Sequence, residues 1–425
     1  MPSFFFQTFG CQMNVADSDD LRSLLIERGF IDASEPGDAD LLVVNTCSVR
    51  EHAENRALAR IRELSALKRK DAQLWVTGCM AQRLGEELKR KIPGIGRVIG
   101  AKEIDNLENI VDSALKTKMF SSKPALRNDI SDFVAVMRGC DNYCSYCIVP
   151  YVRGHEKSIP AVQIEDAIRR KIESGKKEIT LLGQNVNSYN DNGVDFPDLL
   201  ARIEKIEGLE RIRFTTSHPK DCSEKLIATM ASSEKVCRHL HLPVQAGSDR
   251  ILALMNRRYT TGDYLKKIEM LRRYIPDVDI TTDIMVGFPT ETESEFQETL
   301  SLVKSVCFTN AFMFAYSARE GTAAGSMVDD IPREEKISRL NRLIKIQTDI
   351  TKAVYEQKVG CELELLITGR QEKRDRMWMG MDKGCKRALL SCEMAEAGMI
   401  LKAKAIKNSG SKNGMGPQGS ADGAI

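Results

Sequence analysis

Short apolar runs alternate with amphipathic stretches along most of this 425-residue chain, and that alternation restricts the fold more than any other property. A strand, a helix and a further strand in succession are the building unit of parallel sheets. In residues 1–120 the runs FFFQTFG (4–10), LLVVNTC (41–47) and LWVTGC (74–79) read as strands, with helical periodicity over 18–28 and 49–70 between them. This predicts an α/β doubly wound parallel sheet. Each run leads into a cysteine, namely Cys11, Cys47 and Cys79. Ligand sites of such sheets lie outside the carboxyl ends of the strands. Three cysteines distant in sequence are therefore expected along one sheet edge.

Residues 121–132 (SSKPALRNDISD) are polar, contain a proline and read as a linker. The alternation resumes at Phe133. FVAVMRGC, EITLLGQN, RIRFTTSHP, RHLHLPVQ, VDITTDIMVGFP and NAFMFAYS give six strand-like runs, and a long helix over 332–358 closes the series. Six β/α units over 133–357 predict a parallel barrel, complete or partial, with its chemistry at the C-terminal rim. Beyond it the helical period disappears. CELELLIT, RMWMGM, KRALLSC and MILKAKAI predict a small β-barrel over 358–407, whose turns carry Arg370, Lys373, Arg374, Arg376, Lys383, Lys386 and Arg387. The Gly/Ser-rich stretch 408–425 reads as a disordered tail.

Directly after the first barrel strand stands RGCDNYCSYC, in which Cys140, Cys144 and Cys147 are spaced C-x3-C-x2-C. A closed zinc site takes four ligands, commonly as two C-x2-C pairs. A cubane that only carries electrons also takes four thiolates. Three thiolates with no fourth nearby point to a cluster with one iron open to a substrate, and so to an enzyme. The N-terminus lacks a basic segment followed by a long apolar one, and no stretch approaches the roughly 20 apolar residues of a membrane span. A cytoplasmic chain is expected, in which cysteine clusters are metal or catalytic sites and not disulfides. The net charge of +2 excludes a chain-wide nucleic-acid footprint, so any RNA-binding surface is a local patch. Taken alone, C-x3-C-x2-C also fits a partial zinc site, and Cys11, Cys47 and Cys79 also fit buried small residues. Cys222, Cys237, Cys307, Cys361, Cys385 and Cys392 show no ligand spacing and read as structural thiols.

TFGCQMN (8–14), NTCSVRE (45–51), GCMAQR (78–83), RGCDNYCSYCIVPYVRG (138–154), LLGQNVNSY (181–189), HLPVQAGSDRIL (241–252) and MNRRYT (255–260) resemble the radical S-adenosylmethionine (SAM) methylthiotransferase family over roughly residues 3–357. Gln-Met-Asn after Cys11 and Ser-Val-Arg-Glu after Cys47 are similar to the branch that acts on N6-dimethylallyladenosine in tRNA. The resemblance implies methylthiolation of carbon 2 of that base at tRNA position 37, with SAM as both methyl donor and radical source. Cys140, Cys144 and Cys147 would hold a [4Fe–4S] cluster whose open iron chelates SAM, and its electron would release a 5′-deoxyadenosyl radical. Cys11, Cys47 and Cys79 would hold a second [4Fe–4S] cluster whose open iron presents sulfur.

The resemblance also implies SAM contacts from Gly183, Gln184 and Asn185 after the second barrel strand, Ser217 after the third, Gln245 after the fourth and Gly287 after the fifth. His218 is a further candidate there, and Phe314 and Tyr316 on the sixth strand are expected near the base. The C-terminal barrel takes the place of the family's RNA-binding TRAM domain. Implied partners are the anticodon loop of a prenylated tRNA, an electron donor such as flavodoxin or ferredoxin, and a sulfur donor, with a monomeric chain and no membrane. The chain departs from the family at Ile159, where arginine is usual, at Thr290, where glycine is usual, and over 316–321, which lacks prolines. The alternatives are a sister substrate (threonylcarbamoyl-adenosine in tRNA, or a ribosomal protein) and an iron–sulfur redox protein that binds RNA without chemistry.

Overall fold

The computed structural model describes residues 1–48, 51–115, 129–371, 377–408 and 422–424. The linker expected at 121–132 lies outside the described residues as far as 128, as do Lys373, Arg374, Arg376 and most of the expected 408–425 tail. The chain forms two compact units, one of residues 1–127, 138–141 and 147–157, the other of 128–137, 142–146 and 158–425. The chain crosses between them inside the C-x3-C-x2-C loop.

The first unit holds strands β1 (Ser3–Thr8), β2 (Ile31–Asp32), β3 (Leu41–Thr46), β4 (Gln73–Gly78) and β5 (Arg97–Gly100). Their order is β2-β1-β3-β4-β5, and every pair is parallel. Side chains alternate across the sheet. Leu42, Val44, Leu74 and Val76 pack with Ala57, Ile61 and Leu64 of the helix Glu51–Leu67. Phe4, Leu41, Val43 and Trp75 pack with Leu21, Leu24 and Leu25 of the helix Gln12–Glu27 and with Ile110 and Val111 of Leu107–Leu115. Cover on both faces explains why β3 is buried at every residue and reads as a continuous apolar run. The first helix begins at Gln12, well before the periodicity at 18, because Asn14, Asp17 and Ser18 are buried polar residues. The strands β2 and β5 are too short for a sequence period to show.

In the second unit β6 (Ser131–Ala135), β7 (Glu178–Leu182) and β8 (Arg211–Thr215) form one parallel sheet. Strands β9 (His239–His241), β10 (Asp279–Val286) and β11 (Asn310–Ala315) form another. A parallel bridge between Ile212 and Val236 links the two. Among the described residues β11 does not pair with β6, so the six strands make a partial barrel. The helix Arg333–Glu356 closes it, with Gln347 donating to the Phe308 carbonyl at 2.8 Å. Each strand is shorter than its apolar run because the trailing residues, such as Gly183-Gln184-Asn185, turn out of the sheet at the rim.

The C-terminal strands β12 (Glu362–Arg370), β13 (Met377–Met381), β14 (Arg387–Ser391) and β15 (Ile400–Lys404) are antiparallel in the order β15-β12-β13-β14. They form a curled half-barrel around Leu365, Ile367, Trp378 and Leu390. The half-barrel docks on the N-terminal ends of the barrel strands. Arg211, first residue of β8 and fully buried, donates to the carbonyls of Met381 and of Glu364, the latter at 3.0 Å. Arg213 donates to the Asp382 carbonyl at 2.6 Å and pairs with Glu178 at 2.7 Å. Two of the basic turn residues are engaged by this docking. Lys386 is buried against Asp279, and Lys383 donates to the Glu234 carbonyl at 2.9 Å, while Arg387 stays exposed.

Candidate functional site

The first sheet reverses its direction of winding between β1 and β3, and at such a switch point a crevice opens outside the carboxyl ends of the strands. Cys11 and Cys47 follow these two strands, and Cys79 follows the adjacent β4 as the first residue of the helix Cys79–Leu84. Cys47 and Cys79 are buried and Cys11 is exposed. Gly10, at φ +127°, lets two of these loops close, because a Cβ there would lie 2.6 Å from Cys47 Cβ. Asn14 ties the same loops together by donating to the carbonyls of Phe9 (2.9 Å) and Thr46 (3.0 Å). Burial pushes the Cys79 thiol up to about 12, Arg153 opposes this, and Cys11 and Cys47 push it further up. Cys79 thus lies within the field of the other two thiols. A metal, which binds thiolates and displaces their protons, suits such a site.

Arg153 ends the helix Val149–Arg153, which packs through Val152 against Cys79 and Ala101. Its Nη2 donates to Asn14 Oδ1 at 2.9 Å and to Asp17 Oδ2 at 3.0 Å, and its buried Nη1 has no partner. Sequence reasoning missed Arg153, Asn14 and Asp17. The first two stand inside the family-like words VPYVRG and TFGCQMN, and that was their only signal.

In the C-x3-C-x2-C loop the Cys140 N–H donates to the Gly154 carbonyl at 3.1 Å. In the second unit, Cys144 Sγ lies 3.3 Å from Nη1 of Arg257. The Arg257 guanidinium is buried and donates to the Pro243 carbonyl (2.9 Å) and to Tyr259 Oη (3.0 Å). Asn256 Nδ2 donates to the carbonyls of Asn142 (3.2 Å) and Tyr143 (2.9 Å), and the Ser145 N–H donates to the Met255 carbonyl at 3.0 Å. The word MNRRYT is thus the bed on which residues 142–146 lie, and Arg257 is a fourth residue that sequence reasoning passed over. No disulfide links the cysteines. Among the described residues no three His, Cys, Asp or Glu side chains converge on one ion. A lone zinc needs such convergence, whereas a cubane takes each thiolate on a different iron.

At the barrel rim, Asn185 Nδ2 donates to Asp221 Oδ2 at 2.7 Å while Asn185 Oδ1, Ser217 Oγ and His218 Nε2 are buried without partners. Buried polar atoms are normally satisfied, so three at the ends of β7 and β8 mark a place built for a polar ligand. His218 Nδ1 accepts from the Lys220 N–H at 3.2 Å. Burial, then the neighbouring Arg257, lowers the imidazole to about 2, so it is neutral. The backbone of Gln245, at φ +72°, bridges to β10 through an N–H···O bond of 2.9 Å to Asp283. Gln184 is half-buried beside Asn185. Gly183 answers to packing, since a Cβ there would meet Met137 Cγ at 2.6 Å. The Gly287 N–H donates to Glu291 Oε2 at 2.6 Å, and Glu291 is buried against Arg339 at 3.0 Å. Phe314 is half-buried. Tyr316 is enclosed instead, its hydroxyl donating to the Ala324 carbonyl at 2.7 Å and its ring against Phe288.

Residues 134–303 match the Radical SAM superfamily model, and residues 3–100 match that of the uncharacterized protein family UPF0004. The chain is 44% identical over 404 residues to the tRNA-2-methylthio-N(6)-dimethylallyladenosine synthase of Syntrophus aciditrophicus, covering 91% of this chain and 85% of that one. It is 43% identical over 381 residues to the enzyme of the same name from Thermodesulfovibrio yellowstonii, covering 87% and 88%. Among solved structures it is similar to the radical S-adenosylmethionine methyltransferase TsrM of Kitasatospora setae, at 13% identity and TM-score 0.58 over 76% of this chain and 77% of that one. That likeness shows the fold alone.

Proposed function

The chain belongs to the tRNA-2-methylthio-N6-dimethylallyladenosine synthase family, and from that premise we propose that its two three-cysteine sets are the two cluster sites of the family's reaction. It is a radical SAM tRNA methylthiotransferase whose cofactors are two [4Fe–4S] clusters and SAM. When bound, these cofactors supply a carbon radical able to remove hydrogen from carbon 2 of the adenine, and the methylthio group that takes its place. The chain supplies position, charge and exclusion of water.

The observation that carries the assignment is the placement of Cys11, Cys47 and Cys79 after three adjacent strands at the switch point of their sheet. Cys140, Cys144 and Cys147 hold the cluster that meets SAM, and the Arg257 guanidinium stands 3.3 Å from Cys144 Sγ. Asn185, Ser217 and neutral His218 take the polar groups of SAM, supported by their unpartnered atoms. Gln184, Gln245 and Gly287 complete that rim. Three regions carry the work: residues 1–120 the sulfur-presenting cluster, 133–357 the radical chemistry and 358–407 the RNA. Arg387, with Arg370 stacked on Trp378 at 5.0 Å, is the described basic surface offered to phosphate. The prenylated adenosine at position 37 is the target, because a loop base can be splayed into a pocket. A flavodoxin- or ferredoxin-class donor brings the electron, a separate donor brings sulfur, and the enzyme works as a cytoplasmic monomer.

Anaerobic incubation of the reconstituted enzyme with SAM, a strong reductant and prenylated tRNA should give 5′-deoxyadenosine and the methylthiolated base. Cys47→Ala should lower iron from about eight to about four atoms per chain, four per cubane, and still cleave SAM. Full iron in Cys47→Ala would overturn the assignment. Deoxyadenosine without a modified base would point to a sister substrate.

A further inference from the structure

We propose that Arg153 is a positioning residue of the N-terminal three-cysteine site, and that its Nη1 donates to an anionic sulfur, sulfide or hydrosulfide, bound where the three thiolates leave an iron open. The inference rests on the reading of Cys11, Cys47 and Cys79 as cluster ligands. The Arg153 guanidinium is 3% exposed and lies against the Cys79 thiol, whose proton affinity it lowers, yet its Nη1 meets no acceptor in full hydrogen-bond geometry, and a buried donor left so is a net loss that native proteins seldom tolerate. The direction of Nη1 is set by the protein. Nη2 is held by Asn14 and Asp17, and a guanidinium is a rigid planar fork, so fixing one nitrogen fixes the other. Asn14 also ties the loops that carry Cys11 and Cys47, and Val152 packs on Cys79, so the arginine is tied to all three cysteine segments. The field of Arg153 reaches both Cys79 and Cys11.

Charge leads to the same conclusion. Asp17, 3% exposed, pairs with Arg153 and also with Arg138, which has Asp20 at 3.7 Å and Asp105 at 3.9 Å as further partners; of this group Arg153 is the cation whose field reaches the thiols. Three thiolates, two of them on buried cysteines, and a bound sulfide gather negative charge, which is costly away from water unless a cation faces it. A lysine would bring the charge without the fork.

The test uses the full-length chain carrying Cys140→Ala, Cys144→Ala and Cys147→Ala, so that only the N-terminal cluster forms. After anaerobic reconstitution, iron is counted and sodium hydrosulfide is titrated while visible circular dichroism of the cluster is followed. The midpoint potential is then measured. Arg153→Met should keep its iron, weaken hydrosulfide binding about tenfold or more, as loss of a charge-assisted bond does, and lower the potential. Arg153→Lys should restore the potential but only part of the affinity. Asp17→Asn with Arg153→Met removes the cation without stranding the carboxylate, and should behave as Arg153→Met does. Hydrosulfide affinity within about twofold of the parent in both methionine variants, at full iron, would overturn the role of Arg153 while leaving the cluster in place. Loss of iron from both would also overturn it, since Arg153 would then hold the loops and not the sulfur. A parent without iron would instead bring down the cluster reading, and the inference with it.

Discussion

Replacing Lys386 by methionine should destabilise the second unit far more than replacing Lys386 and Asp279 together. The two side chains are 5% and 8% exposed, and Asp279 has one further partner, Thr309 Oγ1 at 2.7 Å. Removing one member of a buried pair strands the other charge, at a cost of about 3–5 kcal/mol, whereas removing both with similar shape is close to neutral. Lys386→Met should therefore lower stability by about 3–5 kcal/mol, and Asp279→Asn/Lys386→Met by about 1 kcal/mol or less. At about 2–4 °C per kcal/mol for a domain of this size, the single variant melts roughly 6–20 °C lower. Burial holds the Asp279 carboxyl above its ordinary range while Lys386 pulls it down. A carboxyl raised in the folded state binds protons more readily there than when unfolded, so acid relieves its penalty. Without Lys386 it rises further, and the gap between wild type and Lys386→Met should narrow by up to about 1.4 kcal/mol per pH unit once the pH falls below the raised value. Urea unfolding of the full-length protein, followed by circular dichroism at pH 7 and pH 5, reads both effects. Equal losses in the single and double variants, or a gap that widens in acid, would refute the reasoning.

Gly10→Ala should cost more than about 1 kcal/mol, because its φ of +127° and a Cβ 2.6 Å from Cys47 both oppose a side chain; iron analysis should show the N-terminal cluster lost, and unchanged iron would contradict it. Arg257→Met should lower the midpoint potential of the SAM-site cluster and slow 5′-deoxyadenosine formation, with Arg257→Lys between, because the guanidinium lies 3.3 Å from Cys144 Sγ. His218 refuses a proton that the unfolded chain accepts, so its contribution to stability falls as pH drops below the unfolded value of about 6.5. His218→Gln should remove about 2 kcal/mol of the loss between pH 7 and pH 5, and an unchanged pH slope would show the imidazole to be wetter than its burial implies.

The strands and most helices were legible because burial on both faces writes itself as apolar runs, and β3 is the plainest case. The polar interior was not. Asn14, Asp17 and Arg153 are buried through hydrogen bonds and charge pairing, which leave no hydrophobic period. Arg211 and Arg213 alternate with apolar neighbours as solvent-facing residues do, yet they lie beneath the C-terminal half-barrel. Lys383 and Lys386, basic residues of the expected C-terminal turns, bond to the barrel for the same reason. Gly183, expected to contact SAM, also has a packing reason to be glycine, which no sequence pattern shows: a Cβ there would lie 2.6 Å from Met137 Cγ.

The half-barrel is clamped at the foot of the barrel, by Asp279 among others, and the rim stands at the far end of the same strand. The eight residues of β10 rise about 26 Å, at about 3.3 Å each. The barrel is thus a ruler. An RNA gripped by the half-barrel, as proposed above, would present to the rim only a nucleotide about one strand-length away, and distance would then join the prenyl group in selecting the adenosine. Loosening the clamp would blur the choice of nucleotide while leaving the radical chemistry intact.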